Sequence, residues 1–228
     1  VSESGRERPA NGVRRSAGRP ARVDREAIVR AAVAVGFDRL AMTTVADRLG
    51  VRHSTLYRYF PTRDALAAAA MDHVVEHAAW PKRRDGDWRS HLEAYAHCHF
   101  ALLTDHRGLA GEIASLSVDS PAYRARVHRT VEALTARGFA AEDAILAADL
   151  VAEQALFFFL AGQGSGTDAA PGPEQAAERR RALLAVAPPG ADPVVHAAMT
   201  RIVTGPPENW FARKLTTLLD GIARLAPD

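Results

Sequence analysis

The sequence predicts an all-α protein, and three observations carry that prediction. Apolar residues recur three and four positions apart along most of the chain. Cap residues, prolines and glycines punctuate these runs at ordinary helix lengths. No stretch alternates apolar and polar residues as a half-buried strand would.

The elements follow in order. Residues 1–22 are rich in Arg, Gly, Ser and Pro, with almost no large apolar side chains, and read as a flexible basic arm. Asp24 can cap a helix in which Ile28, Val29, Ala31, Ala32 and Val35 recur at helical spacing, with Gly36 as its end. A second short helix is expected over 42–49, stopped by Gly50, and a third over 54–60, closed by Pro61. Thr62 then caps a long helix to Ala79, with Ala65, Leu66, Ala69, Ala70, His73 and Val74 on one side.

Beyond Pro81 and a charged turn, helices are expected from Trp88 to Leu103, over 108–117, and from Ser120–Pro121 to Gly138. A long apolar helix over 141–162 leads into a Gly/Pro loop from Gly162 to Pro173, then a helix over 174–187. Asp192–Pro193 opens a short helix to Thr204, and Asn209 to Leu225 forms the last one. From Leu150 to Leu160, including Phe157-Phe158-Phe159, apolar residues occupy nearly the whole circumference, which calls for burial on all sides. The last helix sets Phe211, Leu215, Leu218, Ile222 and Leu225 at alternating spacings of four and three, the seam of helices crossing at a shallow angle. Two readings stay open: burial within one subunit, or a four-helix interface between two copies.

Composition narrows the function classes. A chain of 228 residues with 47% hydrophobic side chains can bury a sizeable core. Cys98 is the only cysteine, so no intrachain disulfide forms and the composition suits a reducing compartment. No run approaches the ~18 consecutive apolar residues of a membrane span. The first thirty residues hold arginines without an apolar signal-peptide core, so a cytoplasmic protein is expected. The net charge of +2 conceals an asymmetry: residues 1–63 hold thirteen arginines against six acids, leaving the remainder net negative. A basic N-terminal segment on an acidic body suits a nucleic-acid partner.

The informative stretch is Val45-Ala46-Asp47-Arg48-Leu49-Gly50-Val51-Arg52-His53-Ser54-Thr55-Leu56-Tyr57-Arg58-Tyr59-Phe60. Ala46 is small enough for two helices to approach closely, and Gly50 permits the left-handed backbone of a tight turn between crossed helices. Val45, Leu49, Val51 and Leu56 have the spacing to pin those helices together. The remainder, Arg52, His53, Ser54, Thr55, Tyr57, Arg58 and Tyr59, is donor-rich and contains no acid. Arg, Ser and Thr can meet base edges in a major groove, and Tyr and Arg can reach phosphates. Together these features predict a helix-turn-helix with double-stranded DNA as its expected partner.

With its flanks, this stretch resembles the N-terminal domain of the TetR (tetracycline repressor) family of bacterial regulators. The matching residues are Ile28, Ala31 and Ala32, then Ala46 to Val51, then Thr55-Leu56-Tyr57-Arg58-Tyr59-Phe60. Arg63 with Ala65-Leu66 stands in place of the family's Lys or Arg at the start of the fourth helix. The resemblance implies a DNA-binding domain over 23–70 and a helical ligand-binding and dimerisation domain over 71–228. It implies a homodimer, joined through helices 141–162 and 209–225, that binds a palindromic operator and releases it when a small-molecule effector binds. The expected DNA contacts are Thr43, Thr44, Arg52, His53, Ser54, Thr55, Tyr57, Arg58, Tyr59 and Arg63. Arg19, within Gly18-Arg19-Pro20, is a further candidate for the minor groove, against a solvated tail that touches phosphates diffusely.

Three departures stand out. Gly36 comes about three residues early, Ala41 replaces the usual Ser or Thr cap of the second helix, and Thr43 stands where many relatives carry a DNA-contacting arginine. The body echoes the tetracycline-repressor branch at Trp88 to Leu92, Ala101-Leu102-Leu103, His106-Arg107 and Gly138-Phe139. Aligned at Trp88, ligand-contacting positions fall on Tyr95 and His99, while the metal-linked histidines fall on Gly111–Glu112 and Glu153. Those histidines are missing, which argues against a magnesium-tetracycline effector. Trp88, Tyr95, His99, Glu153 and Phe157 are the candidate effector contacts.

Other chemistries find less support. His97 and His99 point about 200° apart on a helix and cannot share a metal unaided. The three phenylalanines suit core or interface better than a ligand cage. Gly162-Gln163-Gly164-Ser165-Gly166 lacks the Lys-Ser/Thr of a phosphate-binding loop. No convergent acid, base or nucleophile set appears, so no enzyme, cofactor or metal site is expected.

Overall fold

A computed structural model of the chain describes residues 23–82, 86–116, 118–163, 182 and 187–227. Among these residues it contains ten α-helices, one 3-10 turn and no strand. The helix expected over 174–187, most of the loop before it and the arm carrying Arg19 lie outside the described residues, save Ala182 and Ala187.

Helix α1, Arg25–Val35, starts where Asp24 Oδ1 accepts the Ala27 N–H at 2.7 Å. Gly36, at φ 89°, ends it and turns the chain into a 3-10 turn, Phe37–Arg39, that buries Phe37. This turn was not legible in the spacing of apolar residues. Helix α2, Met42–Leu49, begins at Ala41 with no side-chain cap, and Thr43 lies in its first turn. Gly50 takes the left-handed conformation, φ 65° and ψ 31°, and α3 follows.

Helix α3 spans only His53–Leu56, shorter than the 54–60 expected. The chain tightens after it: the Arg58 and Tyr59 N–H groups bond three residues back, to Thr55 O and Leu56 O. Pro61 keeps this tightened turn from continuing as a helix, because its ring disfavours helical backbone at Phe60. Thr62 Oγ1 accepts the Ala65 N–H at 3.0 Å and opens α4, Arg63–His77, which stops two residues before Ala79. Ile28, Val45, Leu56, Phe60 and Leu66 are buried together between α1, α2, α3 and α4.

The body consists of α5 (Trp88–Asp105), α6 (Leu109–Ser115), α7 (Pro121–Thr135), α8 (Ala141–Gln163), α9 (Pro193–Thr204) and α10 (Pro207–Ile222). Helices α5, α7 and α10 pack on α8, whose Ala144, Ala147, Ala148, Val151 and Ala155 form a buried stripe. Such small residues let helices approach closely. Within the single chain this helix is not buried on all sides: Phe157, inside the apolar stretch of 150–160, is exposed, as are Ile145 and Leu146 before it. The seam on the last helix is also divided. Phe211, Leu215, Leu219 and Ile222 face inward, with Phe211 against Phe100 and Phe158, whereas Leu218 sits half-buried on the outer side.

Besides the unbroken run of α4, several contacts tie the N-terminal helices to the body. Asp72 of α4 accepts hydrogen bonds from Ser120 Oγ at 2.6 Å and the Ala122 N–H at 3.0 Å, completing the N-terminus of α7 from outside. The turn between α5 and α6 presents Arg107 O to the N–H groups of Phe37 and Asp38, at 2.9 and 3.3 Å, and Arg107 pairs with Asp38 at 3.2 Å. No helix among the described residues is long and apolar enough to cross a membrane.

Candidate nucleic-acid interface and effector region

The exposed face of α3 is built by what lies beneath it. The Val51 N–H bonds Ala46 O at 3.0 Å, and the Gly50 N–H bonds Asp47 O at 3.1 Å, satisfying carbonyls at the end of α2. Val45, Ala46 and Leu56 are buried between the two helices. That packing turns Arg52, His53, Ser54, Tyr57 and Arg58 outward, with Thr55 half-buried beside them. Tyr57 is half exposed, at 50%, and packs edge-on to His53 with ring centroids 6.2 Å apart. Thr43 is exposed and Thr44 half-buried at the start of α2.

Tyr59 and Arg63 are placed differently. The Tyr59 hydroxyl donates to Val23 O at 2.8 Å, and its ring is half-buried, so this residue staples the start of α1 to the headpiece. Arg63 turns toward α6: Nη1 donates to Glu112 Oε2 at 2.8 Å, Nη2 donates to Oε1, and Nε donates to Leu40 O at 3.3 Å. The carboxylates of Glu112 and Asp64 hold the guanidinium more firmly in its charged form.

In the body, Tyr95 and His99 come together in a buried ring cluster. The His99 ring lies 4.4 Å from Tyr95, 4.8 Å from Trp80 and 5.9 Å from Tyr123. His99 Nδ1 lies 3.1 Å from Tyr95 O, a carbonyl that can only accept, so that nitrogen carries the proton. Nε2 is then the acceptor for the Tyr123 hydroxyl at 3.4 Å. Arg126 lies over the Trp80 ring at 5.1 Å. Arg126 Nε is buried without a hydrogen-bond partner among the described residues, and the buried Tyr95 hydroxyl has only Thr130 beside it, at a geometry short of a good hydrogen bond. Trp80, from the segment between α4 and α5, and Tyr123 and Arg126, both from α7, were not legible as partners because they share no spacing with Tyr95. The other candidates are not part of this cluster as placed: Trp88 packs edge-on against Phe139 at 5.7 Å, and Glu153 and Phe157 are exposed on α8.

Burial holds the His99 imidazole far below its ordinary range, at about 4. A base whose folded-state value is depressed stays neutral while the unfolded chain takes up a proton. Stability is therefore expected to fall as pH drops from about 6.5 toward 4, and half-buried His106 shifts in the same direction. Thermal melts across that range check this, with His99→Gln expected to flatten the slope.

A concavity of about 530 Å³ lies between α8 and α10, lined among others by Gln154, Trp210, Lys214, Leu218 and Gly221. It is the outer side of the seam described above. Among the described residues, no group of three or more His, Cys, Asp or Glu could hold a metal ion.

Comparison with known proteins finds two family matches along the chain. Residues 25–70 match the family described as bacterial regulatory proteins, tetR family, and residues 80–226 match the tetracyclin repressor-like C-terminal domain. The chain is 28% identical over 212 residues to the tetracycline repressor protein class C of Escherichia coli, covering 90% of this chain and 92% of that one. A transcriptional repressor of Streptomyces coeruleorubidus, DrrR1, is 39% identical over 82 residues, 36% of this chain and 30% of that protein. A possible TetR family regulator from Streptomyces coelicolor superposes with a TM-score of 0.72 at 29% identity, covering 88% of this chain and 99% of that one. The fold is also that of ActR from the same organism, solved in complex with actinorhodin, at a TM-score of 0.70 and 21% identity over 91% of this chain and 100% of that one.

Proposed function

The chain belongs to the TetR family of bacterial transcriptional regulators, and from that premise we propose that it is a homodimeric repressor of a palindromic operator, released by a small-molecule effector. The observation that carries the DNA reading is the donor-rich, acid-free face of Arg52, His53, Ser54, Thr55, Tyr57 and Arg58, held outward by the buried contact of Val45, Ala46 and Leu56. Thr43 and Thr44 flank it. Two such faces on a two-fold dimer meet successive major grooves, so the operator is an inverted repeat.

Selecting duplexes from a random pool with the purified protein tests this. An inverted repeat is the expected product, and a single asymmetric site would overturn the dimeric reading. Tyr57→Ala is expected to weaken binding to the selected duplex roughly 5–150-fold, the ~1–3 kcal/mol of one good contact. Unchanged affinity would remove Tyr57 from the interface.

The effector reading rests on the ring cluster. Leaving the Tyr95 hydroxyl buried without a good partner is costly, and a ligand that supplied one would be favoured. We therefore assign a partly apolar effector to the neighbourhood of Tyr95 and His99. Magnesium-tetracycline does not fit, because Glu112 is engaged by Arg63 and Glu153 lies exposed, where the resemblance asks for metal-linked histidines. A thermal-shift screen for compounds that also release DNA tests the reading. A responsive parent whose Tyr95→Phe and His99→Ala variants respond equally would move the effector elsewhere.

A further inference from the structure

Arg63 is the first residue of α4, one step beyond the Thr62 cap and three beyond Phe60, so it stands at the edge of the DNA-binding headpiece. Its side chain nevertheless reaches across to the body. A guanidinium has five N–H groups in a fixed fork. Two go to the Glu112 carboxylate, one to Leu40 O at 3.3 Å and one to Asp64 Oδ1 at 3.3 Å, which leaves a single N–H, on Nη2. Bidentate contact with a phosphate needs two parallel N–H groups on one edge of the fork. That edge is occupied by Glu112.

Glu112 is itself constrained. It is buried, 9% exposed, on the short helix α6, and Arg63 is the cation that pairs with it among the described residues. The turn that leads into α6 holds the headpiece as well, since Arg107 O and Gly108 pack against the Phe37–Arg39 turn. A carboxylate buried in this way holds its counter-ion strongly, because separating them leaves an uncompensated charge.

We propose that Glu112 is a built-in competitor of operator phosphate for Arg63. In the free protein the effector domain holds this arginine through α6, and DNA must win it from Glu112 before a phosphate can take the same edge of the fork. Operator affinity is then set partly by a residue that never touches DNA, and any event that shifts α6 relative to α4 changes the supply of Arg63 to the operator. By linkage the effect is reciprocal: bound DNA weakens the hold of α6 on the headpiece. Glu112 is a positioning residue in this scheme, acting through Arg63. The inference rests on the operator reading above.

The test uses the full chain, the duplex recovered by selection and fluorescence anisotropy at several salt concentrations. Glu112→Gln is expected to tighten binding roughly threefold to tenfold, since it removes a charged rival while keeping its shape. Arg63→Ala is expected to weaken binding and to reduce the salt slope by about one. In the Arg63→Ala background, Glu112→Gln is expected to change nothing. A pair that merely held the fold together would instead make every variant melt earlier and bind less well. Arg63→Lys serves if Glu112→Gln does not fold: lysine keeps a point charge for phosphate but lacks the fork that grips Glu112, so its affinity is expected to match or exceed the parent's. Weaker or unchanged binding by Glu112→Gln, tightening that persists without Arg63, or, should Glu112→Gln not fold, weaker binding by Arg63→Lys would overturn the inference. A parent chain that binds no duplex would overturn the operator reading itself, a distinct outcome.

Discussion

Leu218→Glu is expected to turn a dimer into a folded monomer and to lower operator affinity by at least about 100-fold. Helix α10 has two apolar faces with different duties. Phe211, Leu215, Leu219 and Ile222 are buried against the subunit's own core. Trp210, Lys214, Leu218 and Gly221 follow one another at spacings of four, four and three, and line the groove shared with Gln154 of α8. Buried Gln154 Nε2 has no hydrogen-bond partner in the single chain, and Ile145, Leu146 and Phe157 add exposed apolar surface on α8. A second copy packed on these two helices would cover that surface, and a stable interface of this kind buries about 1,200–2,000 Å² in total.

The substitution separates assembly from folding because Leu218 lies at the edge of the subunit core. In a monomer a glutamate there can extend into water beside Lys214, one turn back. In a dimer the same carboxylate would be buried against its symmetry mate, which costs several kcal/mol. Losing the dimer uncouples the two recognition faces, and linked binding typically exceeds single-site binding by 10²–10⁴. Sedimentation checks the first expectation and anisotropy on the selected duplex the second. A Leu218→Glu protein that sediments as a dimer would place the interface elsewhere.

The seam also shows where sequence reading reached its limit. Spacings of four and three establish that a helix has an apolar face, but not what covers it. Phe211, Leu215 and Ile222 were legible as a stripe, yet only the packed chain reveals that they serve the subunit while Leu218 faces out. The headpiece was clearer because its signals are local: Asp24, Thr62 and Gly50 act within three residues of themselves. The same locality makes the exposed face of α3 readable from its residue types. Arg63 was not readable in that way, because its partner stands 49 positions away in sequence and nothing in either residue's surroundings announces the other. The ring cluster failed for the same reason. Tyr95 and His99 are one turn apart and visible together, whereas Trp80 arrives from the segment after α4 and Tyr123 and Arg126 from α7.

The largest loss of stability is expected from Gly108→Ala, a single methyl group at the junction of headpiece and body. Gly108 has φ +81°, a conformation that costs a residue with a Cβ about 1–2 kcal/mol. The clash is the larger effect. A Cβ at this position would lie 2.2 Å from Asp38 N, 2.7 Å from Asp38 Cα and 2.7 Å from Phe37 C. These are backbone atoms, which cannot swing aside as the tip of a long side chain can. They sit so close because the Phe37 and Asp38 N–H groups, left without partners at the start of the 3-10 turn, both bond Arg107 O. Relieving the clash means pulling the turn away, which exposes those donors and unseats buried Phe37. Strain and lost contacts together are expected to cost about 3 kcal/mol or more, a fall in Tm of roughly 6–12 °C for a chain of this size. Gly111→Ala, three residues along on α6, is the matched control. Its Cβ would meet nothing within 4 Å, and alanine favours the helix, so that variant is expected to melt at or above the parent temperature. Equal melting of the two variants would mean that the close approach of Gly108 to the Phe37–Arg39 turn does not hold the two parts together.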